Sequence, residues 1–377
     1  MKTKQNTAVL KEDILKSMSK YGDIEFDQRW NNEPLEKYLE YKKGDVTENR
    51  YNVIFNTVAE SSDNASWVSW DEHCDWRDGM TIEDAKQFKN QLEDAGLSSR
   101  YVESSLRTVR AFLSELLKRD VVDSNPVAYI CDEADFDHDN KGKIDRTPNE
   151  IGTYLQKIPN LQQRAFGTTF AKTGIRRGEN INIDLPFVHL DDDIYYQTLD
   201  QHGISVHDEI ADNPDTLYIP SEPTVKEVFR DEERNLGNKR KRGTRIPIDP
   251  ELKRALLDWL AVRPVTEYPH PLWVSVRGGG RLGESNPNKN LTNYWAEETG
   301  LVDDGGTGEF TSHWFRHFFT TNMKPGRGHH DDSIDPSLVK YIRGDVEDDI
   351  MEVYTHDWGN QVREQYLDAI YHFGIYD

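Results

Sequence analysis

The chain has 377 residues, with 68 Asp and Glu against 46 Lys and Arg, and a formal net charge of −22. Its mean hydropathy of −0.82 goes with the absence of any stretch near the ~20 apolar residues that a membrane-crossing helix needs. Low hydrophobicity with high charge warns of disorder, but 9 Trp, 17 Tyr and 14 Phe demand a core, and at ~150 residues per domain the length predicts about two or three domains.

The first six residues lead into no apolar h-region, so no secretory signal is expected. Residues 1–48 are polar, and Val9, Leu10, Ile14, Leu15 and Met18 allow one amphipathic helix or a frayed arm. An all-helical domain is expected over 49–131. Thr81-Ile82-Glu83-Asp84 has capping-box form. Ile82, Ala85, Phe88, Leu92 and Ala95 follow at helical spacing, and Gly96 stands at the C′ position. Ser98 or Ser99 opens a second helix carrying Val102, Leu106, Val109, Leu113 and Leu116, which ends before Asn125-Pro126. Residues 132–146 read as an acidic linker. A calcium loop starting at Asp137 fails, because Lys141 takes position 5 and Pro148 stands where a bidentate Glu is required.

A C-terminal domain over 147–377 opens cleanly at Thr147-Pro148-Asn149-Glu150. Ile194-Tyr195-Tyr196 and Thr216-Leu217-Tyr218-Ile219 read as strands, while 311–370 reads as helical. Strand and helix do not alternate regularly, so the domain is mixed α+β rather than doubly wound. Cys74 and Cys131 are too few for a disulfide scaffold or a four-cysteine zinc site, and a reducing cytoplasm is the default location. No repeat occurs at solenoid periods.

A pI near 5.0 argues against a generic nucleic-acid coat protein. The densest basic run is Lys239-Arg240-Lys241-Arg242-Gly243-Thr244-Arg245, five cations in seven residues. Extended segments at Thr224-Val225-Lys226 and Arg245-Ile246-Pro247-Ile248 predict a β-hairpin with a cationic tip, suited to a phosphate backbone. The alternative is a solvated loop. Gly278-Gly279-Gly280-Arg281 matches neither phosphate-loop pattern and reads as a turn. His313 and Arg316 share one helix face. His317 has the spacing of a second zinc ligand, but Trp314 replaces the required Glu. Taken alone, such a face is a structural polar network.

These pieces fall in a telling order. Thr173-Gly174-Ile175-Arg176-Arg177-Gly178-Glu179 resembles the T-G-[LI]-R-x-x-E box of the tyrosine recombinase (phage integrase, Xer-like) family. His313, Arg316, His317, Phe319 and Thr321 resemble its H-x-L-R-H-x-F-x-T box, and Gly344-Asp345 followed nine residues later by Tyr354-Thr355-His356 resembles its third. Ser99-Arg100-Tyr101-Val102, Leu106-Arg107 and Asn125-Pro126 resemble the family's helical core-binding domain. The resemblance spans roughly residues 49–370. The spread of acid with scarce Lys, Arg343-Gly344-Asp345 and Tyr371-His372-Phe373-Gly374-Ile375 resemble halophile-type archaeal integrases in particular.

The resemblance implies an α-helical, SAM-like core-binding domain and a mainly helical α+β catalytic domain, closing as a C-shaped clamp on double-stranded DNA. It implies catalytic roles for Arg176, Lys239, His313 and Arg316, with Tyr354 as nucleophile and Lys241 as second choice for the lysine. Glu179 would be a structural companion of Arg176. Arg240, Arg242, Arg245, Arg100 and Arg107 would contact DNA. Site-specific integration or recombination by a DNA-bound homotetramer follows, with no metal and no cofactor, and with Val362–Asp377 packing on a neighbouring subunit. Asp345 departs from the usual His or Trp. A carboxylate repels a phosphate unless paired or protonated, so it would buttress an arginine or His313, or bond Tyr354, with Arg343 supplying the lost cation. Tyr366 and Tyr371 are rival nucleophiles with the wrong spacing. A type IB topoisomerase, a DNA-binding member without catalysis and an acidic cytoplasmic scaffold are the competing functions.

Overall fold

The computed structural model describes residues 29–42, 50–51, 54, 79–136, 145–275, 278–302, 310–323, 334–345 and 358–376. The predicted amphipathic stretch before Met18, Cys74, most of the acidic linker and Tyr354 lie outside the described residues. The chain divides into two compact units, Met1–Lys141 and Gly142–Asp377.

The first unit is helical: α1 (Pro34–Tyr41), α2 (Ile82–Asp94), α3 (Ser99–Lys118) and α4 (Pro126–Glu133). Local chemistry sets the ends. The Thr81 hydroxyl accepts the Asp84 N–H at 3.2 Å, and the Asp84 carboxylate accepts the Thr81 N–H at 2.8 Å, closing both ends of a capping box. Gly96 takes φ +72° just past α2, and Ser98 caps α3. Asn125 caps α4 and donates from Nδ2 to the Arg110 carbonyl at 3.0 Å and Ser114 Oγ at 2.8 Å. Phe88, Val102, Leu106, Val109, Phe112 and Leu116 form the core. Trp30, Leu35 and Tyr38 join it. Tyr38 lies edge-on to Phe112 at 5.3 Å, and Arg119 stacks over Trp30 at 4.0 Å. Residues 29–42 thus share the core of the helical unit.

The second unit is mixed. Its helices include α5 (Pro148–Lys157), α6 (Leu161–Thr173), α7 (Arg177–Ile181), α8 (Asp193–His202), α9 (Pro250–Leu260), α10 (Ser312–Asn322), α11 (Pro336–Arg343) and α12 (Gln365–Ala369). Thr147 and Glu150 form the expected capping box. A three-stranded antiparallel sheet has the order β1 (Val188–His189), β2 (Thr216–Ile219), β5 (Thr244–Pro247). Separately, β3 (Val228–Phe229) pairs with β4 (Glu232–Glu233). Ser275 and Gly280 close the predicted glycine turn, with Gly279 at φ +67°.

Two local expectations are corrected. Ile194-Tyr195-Tyr196 is helical: Asp192 accepts the Ile194 N–H at 2.9 Å, Tyr195 and Leu199 are buried one turn apart, and Gly203 ends the helix at φ +62°. The cap and the i, i+4 pair override the strand propensity of Ile and Tyr. Thr224–Lys226 does not pair with Arg245–Ile248 either. Strand β5 pairs with β2 in the register Leu217↔Ile246 and Tyr218↔Arg245, while Lys226 bonds back to Arg234 at 2.7 Å. The cationic run therefore lies at the end of the 220–243 connection that joins the antiparallel strands β2 and β5, after the small β3–β4 hairpin.

Helix α6 runs through the core, with Phe170 stacked on Phe315 at 5.8 Å and Phe166 edge-on to Trp273 at 5.1 Å. The C-terminal segment packs on its own unit. Val362, Tyr366, Ile370, Tyr371, Phe373 and Ile375 are buried in the core of their own unit. Gly152 makes room, since a Cβ there would stand 2.3 Å from the Phe373 carbonyl oxygen. Lys172, fully buried, donates to Asp249 at 2.7 Å, Glu251 at 2.6 Å and the Tyr371 carbonyl at 2.5 Å. Glu251 in turn accepts the N–H groups of Phe373, Gly374 and Ile375. Burial opposes the Glu251 charge, yet Lys172 and these amides hold its pKa below the ordinary carboxylate range. His372 brings a third potential metal ligand near Asp249 and Glu251, but the Lys172 ammonium already sits on both carboxylates. Lys172→Met strands two buried carboxylates, so a loss of about 3–5 kcal/mol is expected. The urea midpoint checks this, with Lys118→Met, on an exposed surface, staying within about 0.5 kcal/mol of wild type.

Candidate active site

The first box is built by a helix stop followed at once by a helix start. Gly174 ends α6 at φ +61°, and a Cβ there would stand 2.6 Å from the Phe319 ring. Only glycine meets both demands. The chain turns so that Arg176 caps α7. Glu179 accepts the Arg176 N–H at 2.8 Å and Arg176 Nη1 at 2.9 Å. Its carboxylate, wholly buried, also takes Arg240 Nη2 at 3.2 Å.

The second box lies on α10, capped by Thr311. Trp314, Phe315, Phe318 and Phe319 are buried around it, and Arg316 is carried inward with them. Arg316 Nη1 donates to the Gly174 carbonyl at 2.8 Å and the Arg343 carbonyl at 2.9 Å. Burial, with Arg343 and Arg176 nearby, pulls the guanidinium down to about 10, so it stays charged at neutral pH.

The third box closes the cluster. Gly344 ends α11 at φ +72°. The Asp345 N–H reaches the Lys340 carbonyl at 3.0 Å and the Gly344 N–H reaches that of Tyr341 at 2.9 Å, a Schellman turn. The turn aims Asp345 at the arginines. Its Oδ1 accepts Arg176 Nη2 at 2.6 Å and also Arg316 Nη2, and its Oδ2 pairs with Arg343 Nη2 at 2.9 Å. Burial lowers the pKa of Arg343 as well. The inward nitrogens of Arg176 and Arg316 are tied to structural acceptors, and their outward nitrogens converge on one carboxylate oxygen. Such forked, charge-assisted donors recognise an oxyanion.

The other sequence candidates separate. Arg240 is corrected: it is buried rather than facing outward, bonded to Glu179 and to the Ile342 carbonyl at 3.1 Å, with Gly344 packed against its guanidinium. Lys239, at φ +52°, and Lys241 flank it and are exposed, as is Arg242. Arg245 is half-buried, with its guanidinium 5.6 Å from the centre of the Trp358 ring. His313 is exposed on α10, edge-on to His317 at 4.6 Å. Arg100 and Arg107 are exposed on α3 of the first unit, two turns apart, and Arg107 pairs with Glu103 at 2.5 Å. The rival tyrosines are core residues. The Tyr366 hydroxyl donates to the Lys172 carbonyl at 2.8 Å and that of Tyr371 to the Ala171 carbonyl. Burial raises both well above the ordinary tyrosine range.

No family model and no curated protein matches the chain in sequence. The likeness is in the fold. The integrase of the Tn1549 transposon, in complex with transposon right end DNA, superposes with a TM-score of 0.52 over 90% of this chain and 92% of that chain, at 15% identity. The same integrase in complex with a circular intermediate DNA gives 0.51 over 91% and 92%, at 14% identity. The chain has the mainly helical tyrosine-recombinase fold. Among the described residues, no helix is long and apolar enough to cross a membrane.

The fold demands glycine at 344 for both its φ and its close approach to Arg240. Gly344→Ala places a Cβ 2.8 Å from the Arg240 guanidinium, whereas Gly300, also at φ +72°, has nothing within 4 Å. Gly300→Ala is expected to cost about 1–2 kcal/mol from the backbone alone, and Gly344→Ala measurably more. Urea unfolding of both variants checks the difference.

Proposed function

We propose that the protein is a site-specific DNA strand transferase, a tyrosine recombinase of the integrase type acting through a 3′-phosphotyrosine. The convergence of Arg176 and Arg316 on one anion position carries the reading. Their guanidiniums take the two non-bridging oxygens of the scissile phosphate. The Tyr354 phenol oxygen attacks phosphorus while the bond to the 5′ oxygen breaks. His313 orients the phenol or takes its proton. Lys239, or Lys241 as second choice, gives the leaving 5′ oxygen a proton. The covalent phosphotyrosine keeps the bond energy for rejoining, so the cycle draws on no ATP and calls for no metal or cofactor.

Double-stranded DNA carrying an attachment site is the proposed partner. Arg242 and Arg245 beside the lysine loop, and Arg100 and Arg107 on the first unit, contact its backbone. A homotetramer on DNA, in the cytoplasm of a salt-loving archaeon, completes the reading. The Tn1549 integrase structures are DNA complexes, and the acidic composition suits a salt-rich solvent. At ~1 M salt the Debye length is only ~3 Å, so the surrounding acid hardly repels DNA.

Incubation with nicked duplexes carrying candidate sites, at high salt, tests the chemistry. Wild type and Tyr366→Phe form a denaturation-resistant protein–DNA band, and Tyr354→Phe forms none. Arg316→Lys slows its formation by ~10²–10³-fold, the usual cost of one preorganised oxyanion donor. A band persisting in Tyr354→Phe refutes the nucleophile. Exchange between paired sites, rather than relaxation of any supercoiled plasmid, separates a recombinase from a topoisomerase.

A further inference from the structure

The arginine cluster holds two carboxylates that differ in kind. Glu179 is inner and permanent: it is wholly buried and accepts a backbone N–H as well as the guanidiniums of Arg176 and Arg240. Asp345 is outer. Its side chain is 28% exposed, and it meets the cluster only through the outward nitrogens of three arginines. Arg316 is 3% exposed, with Nη1 committed to two carbonyls and Nη2 to Asp345. Arg176 has Nη1 on Glu179 and Nη2 on the same Asp345 oxygen. An anion oxygen that takes the position between the two Nη2 groups must displace that oxygen.

We propose that Asp345 is a displaceable internal ligand of the phosphate site, an anion that seats Arg176 and Arg316 in the DNA-free protein and is exchanged for a phosphate oxygen on binding. This rests on the reading of those arginines as the phosphate site. The charge balance favours exchange. Among the described residues, four guanidiniums stand against two carboxylates, leaving two positive charges over, and Arg240 Nε, Arg240 Nη1 and Arg343 Nε have no hydrogen-bond partner. The cluster therefore attracts a further anion even with Asp345 present, and loss of the carboxylate strengthens that attraction. Asp345 thus acts as a positioning residue before binding and a competitor during it.

The test uses the full chain, with inorganic phosphate as probe at constant ionic strength. Thermal unfolding is followed against phosphate concentration, because a ligand of the native state raises the midpoint by mass action. Asp345→Asn is expected to lower the phosphate Kd fitted from that rise at least ~10-fold relative to wild type, and Asp345→Glu, which keeps the competing charge, to stay within ~3-fold. Arg176→Gln is expected to abolish the response in both backgrounds. Unchanged or weaker phosphate binding by Asp345→Asn, with Arg176→Gln still effective, overturns the inference and leaves the phosphate-site reading standing. A phosphate response indifferent to Arg176→Gln overturns both. If Asp345→Asn does not fold, the charge-balanced pair Asp345→Asn with Arg343→Gln is compared with Arg343→Gln alone. The same ~10-fold gain is expected, and its absence is equally decisive.

Discussion

Four like charges brought to one place repel, and containing that repulsion is the constraint on which the second unit is organised. Arg176, Arg240, Arg316 and Arg343 come from four distant segments. Three are held by an acceptor that belongs to another segment, Glu179 for Arg240, the Gly174 carbonyl for Arg316 and Asp345 for Arg176, while Arg343 pairs with Asp345 two residues along. The repulsion is written into Arg316, whose pKa falls to about 10 through burial and its arginine neighbours. Two glycines make the assembly possible, because Gly174 and Gly344 deliver Arg176 and Asp345 through left-handed turns closely packed against Phe319 and Arg240.

Features of short range were legible in the sequence. The capping boxes at Thr81 and Thr147, the helix start at Ser98 or Ser99 and the strand at Thr216–Ile219 depend on neighbours a few residues away, and all are present. Boxes with fixed spacing also located Arg176, Arg316 and Asp345, which the fold brings into contact. What failed depended on partners remote in the chain. Arg240 sits in a run of four consecutive cations, and nothing local distinguishes it from Lys239 or Lys241; only Glu179 and Ile342 select it for burial. The core role of the C-terminal segment was hidden for the same reason, since its partners Lys172 and Glu251 lie more than a hundred residues upstream. Ile194 failed for the opposite reason: strand propensity outweighed a cap at Asp192 that was there to be read.

An acidic chain with a cationic centre separates two ranges of electrostatics. The net charge of −22 acts at long range and is erased by salt, whereas forked hydrogen bonds from guanidinium to phosphate act in direct contact. Under strong screening, an anion is therefore held by the groups in direct contact with it, and steering by the field of the whole protein contributes little. The arrangement of the basic run fits this. Its outward members stay at the surface, and its inward member braces the centre.

The bonds that seat the C-terminal segment bear on how the protein is made. Tyr371 reaches the Ala171 carbonyl across 200 residues, and Lys172 reaches Tyr371 across 199. In the first unit, Asn125 reaches Arg110 across only 15. During synthesis the first unit can close its core once α4 has emerged, whereas the second must wait for nearly its whole length before α6 is covered. Until then Phe170 and its aromatic neighbours stay open to water and to other chains. The interval between the two closures is when this protein is most prone to aggregate, and when a chaperone has most to hold.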